Sequence, residues 1–244
     1  MLYGLISDVH GNIDALEVAL AHLERLEVDR IAFLGDAVGY GANPNEACDR
    51  IREVADFAVL GNHDAAVAGR MGYDEYYDAA RHALDWCVEV ITPENMAWLK
   101  GLPYKECEGH IEFCHGAPVE PEVFDYLFSA EQAMGVLRGA FDSLAEVTFI
   151  GHSHLTIAFE IRGNSVAPII EKELQCDDSL KYVITAGSVG QPRDRDPRMC
   201  CGTYDSETRL FQYHRLEYDI LSQRRKILEA GIATVFGDRL LVGI

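Results

Sequence analysis

Basic residues are scarce in this sequence. Lysine and arginine total 21 against 40 acidic residues, giving a formal net charge of −19 over 244 residues. So acidic a surface repels polyanions over a Debye length, which argues against long nucleic acid or an anionic membrane as the main partner. A small phosphorylated substrate stays open, because bound cations reverse the local sign. Long apolar runs are missing too. No stretch approaches the roughly 20 residues that cross a bilayer. The first run, 2–6, leads straight into Ser7-Asp8-Val9-His10 without a signal-peptide pattern. The seven cysteines include no C-x-x-C pair, and adjacent Cys200 and Cys201 cannot form an ordinary disulfide. They read as reduced, mostly buried thiols, and the expected location is the cytoplasm. No repeat, low-complexity tract or linker divides the chain. With 48% apolar and 25% charged residues, it reads as a single globular domain over 1–244.

Apolar periodicity orders the first sixty residues as β-α-β-α-β. Strands are expected at 2–7, 30–34 and 57–60. Ile13, Leu16, Leu20, Leu23 and Leu26 mark one helical face, and Pro44 sits in the first turn of a helix over 44–54. In a parallel sheet, the loops after such strands gather at one carboxyl edge, where open α/β folds bind ligands. Helices predicted over 73–90 and 93–100 interrupt this rhythm, so the segment at about 66–100 reads as a helical insertion or lid. From 104 onward short strands dominate, around a helix at 129–139. A terminal helix is expected over 216–230, and the apolar residues of 216–244 leave room for a homo-oligomer interface.

Five short motifs stand where strands end: Asp8-Val9-His10-Gly11-Asn12, Gly35-Asp36, Gly61-Asn62-His63-Asp64, His115-Gly116 and Gly151-His152-Ser153-His154. They offer imidazoles, carboxylates and one amide oxygen. Such donors suit Mn, Zn, Fe, Co or Ni, and the lack of cysteine argues against a structural zinc site. Seven ligands are too many for one catalytic ion that keeps an open position. They suit two ions sharing a carboxylate. Taken singly, each residue is equally a turn or capping residue; the ordered set is not.

That ordered set resembles the calcineurin-like metallophosphoesterases, in the manner of small bacterial members, from Asp8 to His154 and more weakly to about Arg193. The resemblance implies an α/β fold, a four-layer α/β/β/α sandwich with two mixed sheets. It implies two divalent metal ions. Asp8, His10 and His154 match ligands of one, Asn62, His115 and His152 ligands of the other, and Asp36 the bridge. His63 and Asp64 match the catalytic pair beside the scissile ester, with a carboxylate such as Asp64 fixing the tautomer of His63. Asn12 matches a position near the substrate phosphate. The implied chemistry is phosphate-ester hydrolysis by in-line attack of a hydroxide held between the ions.

The sequence departs from the protein-phosphatase branch. Where that branch has an Asp-Arg pair, Asp36 is followed here by Ala37-Val38-Gly39-Tyr40-Gly41. Small phosphodiesters or nucleotides are therefore the expected substrates. The loop Gly187-Ser188-Val189-Gly190-Gln191-Pro192-Arg193-Asp194 resembles a site loop of small bacterial members, and Arg193 is a candidate phosphate fork. Arg193, Arg195 and Arg198 lie among Asp194 and Asp196, however, so a solvated salt-bridge cluster is the reading the charges favour. Asp64 equally reads as a helix cap, and Asn12 as the N-cap of the first helix. Two other functions compete. A non-catalytic scaffold of the same fold would usually lack His63 or several ligands. A nuclease would need a basic groove.

Overall fold

The computed structural model describes residues 1–244. The chain runs β1 (Leu2–Ile6), α1 (Ile13–Arg25), β2 (Arg30–Phe33), α2 (Pro44–Val54), β3 (Phe57–Ala58), α3 (Asn62–Val67), α4 (Asp78–Val90) and α5 (Pro93–Gly101). It continues with β4 (Lys105–Glu108), β5 (Ile111–Cys114), α6 (Ala130–Val136), β6 (Val147–Ile150), β7 (Ala158–Arg162) and β8 (Ser165–Ile169). The last part holds β9 (Glu173–Gln175), β10 (Lys181–Thr185), β11 (Met199–Asp205), β12 (Leu210–Leu216), α7 (Ile220–Glu229) and α8 (Thr234–Leu240). No helix is long and apolar enough to cross a membrane.

Two six-stranded sheets form, in the orders β3-β2-β1-β11-β12-β9 and β4-β5-β6-β10-β7-β8. Both are mixed: β1 pairs parallel with β2 and antiparallel with β11, and β10 pairs parallel with β6 and antiparallel with β7. Period-two alternation sorts the strand residues between layers. Leu5, Phe113, Phe149 and Ile184 meet between the sheets. Their neighbours Ile6, Cys114, Ile150 and Val183 face outward, Ile6 toward α1 and α2, the other three toward α6. Each large side chain so buried contributes about 1.5–3 kcal/mol, and a one-residue register slip would exchange the two faces. The outcome is the expected α/β/β/α sandwich.

Several elements differ from the sequence reading. The helix expected from 73 begins at Asp78, because Tyr73 and Tyr76 turn away to bond Asp85 and Asn62. Leu84, Cys87 and Leu99 are fully buried with Leu16 and Phe33, so α4 and α5 belong to the outer helical layer. Only the 71–77 turn of that segment reaches the site. The terminal helix expected over 216–230 starts later, at Ile220, capped by the Asp219 carboxylate, and α8 follows it. Residue 216 instead closes β12. The edge strand β9 carried no apolar alternation and forms by pairing with β12.

Candidate metal centre

Strand ends deliver the polar side chains to one edge of the sandwich. Asp8 and His10 follow β1, Asp36 follows β2, Asn62 and His63 open α3, His115 follows β5, and His152 and His154 follow β6. None of these eight residues is more than 4% exposed. Asp8 (φ 52°), His10 (49°), Asp36 (62°), His152 (66°) and His154 (57°) all hold left-handed backbone. That conformation costs a non-glycine residue about 1–3 kcal/mol and persists where the surroundings over-determine it. Adjacent glycines clear the space: a Cβ at Gly61 would overlap Asp36 Oδ1, and one at Gly151 would overlap Ser7 Oγ and lie 2.6 Å from Asp8 Oδ2.

The side chains gather in overlapping groups. Asp8, His10 and His154 form one, Asp36, His115 and His152 another, and His10, Asp36 and His63 a third; within each the ligand atoms lie within 4.8 Å of one another. Asp36 links the first two groups, its Oδ2 being 3.6 Å from His10 Nε2 and 3.3 Å from His115 Nε2. Asn62 Oδ1 lies 3.2 Å from His115 Nε2, while its Nδ2 donates to the Tyr76 hydroxyl at 2.6 Å. That second bond fixes which end of the amide faces the centre.

Three imidazoles are aimed by backbone carbonyls. Nδ1 of His10, His115 and His154 donates to the carbonyl oxygens of Val38 (3.0 Å), Leu34 (2.6 Å) and Gln191 (2.5 Å). A carbonyl only accepts, so Nδ1 carries the proton and a neutral ring presents a bare Nε2. His10 Nε2 and His154 Nε2 stand 3.2 Å apart. Burial lowers the pKa of both rings well below the usual value. Near neutrality, two lone pairs therefore face each other with no proton between them. A shared cation removes that conflict, and Asp8 Oδ1, 3.2 Å from His154 Nε2, supplies counter-charge. The donor set of imidazole and carboxylate fits Mn, Fe, Co, Ni or Zn.

His115 behaves differently. Burial disfavours its charge, but Asp36, by charge and hydrogen bond, and Asp8 outweigh that and raise its pKa to about 9. Burial and the charge of Asp36 raise Asp8 to about 7. Without an ion, His115 holds a proton between Asp36 and Asn62. The sign follows from these raised values. Ion binding releases the His115 proton below pH 9 and the Asp8 proton as well below pH 7. Affinity for an ion held by Asp36 and His115 is thus expected to rise about tenfold per pH unit between 7 and 9, and affinity for one held by Asp8 to fall as pH drops below 7. Calorimetric titration in buffers of different ionisation enthalpy reads the released protons; a pH-independent affinity would contradict the assignment.

The remaining candidates sit around this centre. The His63 backbone N–H donates to Asp36 Oδ1 at 2.9 Å, its Nδ1 packs against Gly39, and burial depresses the ring to about 4. Asp64 does not fix the His63 tautomer, contrary to the sequence reading. Its Oδ2 accepts from the backbone N–H of Asp36 (2.8 Å) and Gly61 (3.2 Å), and its Oδ1 from that of Val38 (3.2 Å). It ties the Asp36 loop to the start of α3, a capping role. Asn12 caps α1 by accepting from Ala15 N at 3.1 Å, and its Nδ2 donates to Gly190 O and to the Tyr218 hydroxyl. Its amide is thus spent on the protein. Arg193 stands apart from the acidic cluster, since Asp194 pairs with Arg215 and Asp196 with Arg198. Its guanidinium donates to Gln191 Oε1 at 3.1 Å and lies 5.9 Å from the Tyr40 ring, and its charge acts on Asp8, His10, His63 and His154.

Several site residues carried no local sequence signal. Tyr126 stacks on His152 at 3.6 Å between ring centres, and Phe124 meets His115 edge-on at 5.9 Å. From the C-terminal helices, Gln223 Nε2 donates to Gly11 O at 3.2 Å and Phe236 packs on Tyr40 at 4.6 Å. Beside Asn62, His63 and His152 opens a cavity of 370 Å³.

Residues 1–208 match the calcineurin-like phosphoesterase superfamily domain. The chain is 33% identical over 246 residues to an uncharacterised protein of Methanocaldococcus jannaschii, covering 99% of this chain and 98% of that one. A crystal structure of a metallophosphoesterase from Sphaerobacter thermophilus superposes with a TM-score of 0.86 at 35% identity, covering 100% of this chain and 99% of that one. A hypothetical protein from Pyrococcus horikoshii shares the fold, with a TM-score of 0.78 at 19% identity over 100% of this chain and 98% of that one.

Proposed function

Because the chain belongs to the calcineurin-like phosphoesterase superfamily and is a metal-dependent phosphoesterase, we propose that it hydrolyses small phosphodiesters or nucleotides at a two-ion centre. The observation that carries the two-ion reading is the pair of flanking groups joined by Asp36, with the bare imidazole nitrogens of His10 and His154 facing each other on one side and His115 Nε2 3.3 Å from Asp36 Oδ2 on the other. Asp8, His10 and His154 would hold one ion, Asn62, His115 and His152 the other, and Asp36 both. Bound there, divalent ions supply Lewis-acid charge to phosphoryl oxygens and make water a nucleophile near neutral pH.

The chain's own residues supply the rest. With Nδ1 against Gly39, the Nε2 edge of His63 is left for the substrate. A neutral His63 donates its Nε2–H to a phosphoryl oxygen and steadies the charge that grows there. Arg193 adds a positive charge in a chain of net −19 and presents a planar fork that matches phosphate. Tyr126, stacked on His152, and Phe124, against His115, shield that flank from bulk water. Arg193→Ala is expected to raise KM about 10- to 100-fold with a smaller change in kcat, since it removes a charged hydrogen bond. Steady-state kinetics at fixed metal loading checks this; an unchanged KM would return Arg193 to a purely structural place.

The test of the reading is hydrolysis of bis(p-nitrophenyl) phosphate and of p-nitrophenyl phosphate. The protein is stripped with chelator and reloaded with Mn, Zn, Fe or Co. The expected result is metal-dependent turnover of the diester at a rate at least matching the monoester. Ion binding without turnover of either ester would instead indicate a binding protein on this fold.

A further inference from the structure

We propose that the cavity beside His63 holds the neutral aromatic base of a nucleotide whose phosphate lies at the metal centre, an inference that rests on the hydrolase reading above. The cavity's 370 Å³ lies within the range of roughly 300–1,000 Å³ typical of small-molecule sites. Tyr40, Tyr76, Tyr77, Tyr126 and Phe124 line it, next to Asn62, His63 and His152. A group placed there is therefore joined to the reacting phosphate on the His63 side.

The inner wall is already ordered. Tyr126 is held between His152 and Phe128, with ring centres 3.6 and 4.7 Å away and planes tilted by 15° to each. Tyr76 is tied to Asn62 through its hydroxyl, and Tyr40 sits between His63 at 4.4 Å and Phe236 at 4.6 Å. Binding a flat ring against such walls costs little side-chain entropy. The mouth, in contrast, leaves large apolar groups in water: Tyr77 is 49% exposed and Val123 is 55% exposed. A stacked ring would cover both.

Charge selects the kind of ring. Glu75 is the one charged side chain of the lining, and no lysine or arginine belongs to it. A second phosphate or a carboxylate would be repelled, whereas a neutral base offers a face to the exposed Tyr77 ring and polar edges to the tyrosine hydroxyls. Stacking on aromatic side chains is sequence-tolerant, so the cavity is expected to accept purines and pyrimidines alike.

Adenosine 5'-monophosphate and ribose 5-phosphate share the same primary-alcohol leaving group and differ in the base. In the metal-loaded enzyme, kcat/KM is expected to favour the nucleotide by about 10- to 100-fold. Tyr77→Ala and Val123→Ala are each expected to remove about 3- to 10-fold of that preference and to leave ribose 5-phosphate turnover unchanged, whereas Tyr77→Phe keeps it. A second arm titrates adenosine and ribose into the metal-free protein by calorimetry, with adenosine expected to bind and ribose not. Equal turnover of the two phosphates, with adenosine binding no tighter than ribose, overturns the base pocket and leaves the hydrolase reading intact. Adenosine binding that weakens in Tyr77→Ala, without turnover of any ester, overturns the hydrolase reading and leaves the base pocket standing.

Discussion

Asp36→Asn is expected to lower metal-dependent turnover by about 1,000-fold or more, the scale of losing ion-based charge stabilisation and nucleophile activation together. Asp36 is the carboxylate common to two of the side-chain groups, and its Oδ2 faces both His10 and His115. The amide keeps the shape and removes the charge. Asp36 is held ionised even though burial opposes it, because the charge and hydrogen bond of His115 outweigh that effect near neutral pH. Removing its charge also removes the main influence that raises His115. The variant is thus expected to release fewer protons on ion binding and to retain fewer than two ions after dialysis. Metal analysis and turnover on the same preparation, with circular dichroism as a check on folding, read all of this. Wild-type turnover in Asp36→Asn would remove the shared carboxylate from the centre.

His63→Gln is expected to lower kcat by about 100- to 1,000-fold while leaving the ion content unchanged, the cost of losing one donor aimed at developing charge. In the proposed hydrolysis the lowered pKa favours a neutral His63. Burial places the folded His63 at about 4, below the ordinary value of 6.5. The ring therefore stays neutral as pH falls from 7 to 5, and only the unfolded chain takes up the proton in that window. Its contribution to stability is present above pH 6.5 and is lost as pH falls toward 4. A neutral imidazole donates a hydrogen bond to phosphoryl oxygen and delivers no proton to the leaving group. The loss in His63→Gln should accordingly be similar for p-nitrophenyl and for alkyl esters. A loss that grows with the pKa of the leaving alcohol would show that His63 gives up a proton there.

The clustering of the candidate ligands was legible because they sit in short ordered motifs at strand ends, where type and spacing survive in one dimension. Asp8, His10, Asp36, Asn62, His115, His152 and His154 come together for that reason. The sandwich was expected from the family resemblance, and the residues themselves gave a βαβαβ half followed by a β-rich half; β1, β5, β6 and β10, apolar on both faces, agree with it, as strands between two layers must be. Contacts between distant side chains left no such trace. Nothing near Tyr126 in the sequence announces that its ring covers His152, nor does anything near Gln223 announce its bond to Gly11. Asp64 shows how adjacency misleads. It follows His63 in the chain, yet at the third position of α3 its carboxylate turns back to the backbone amides of Asp36, Val38 and Gly61. Arg193 shows the opposite: a run of alternating charges suggested a surface cluster, but Arg215 and Arg198 take its acidic neighbours and leave its guanidinium to Gln191 and the Tyr40 ring.

The most direct measurement is a metal titration of chelator-stripped protein in which bound Mn or Zn and diester turnover are followed in the same samples. Two ions sharing Asp36 are expected to give turnover that stays low through the first equivalent and rises with the second. Full turnover at one equivalent, or none at two, would contradict the two-ion hydrolase.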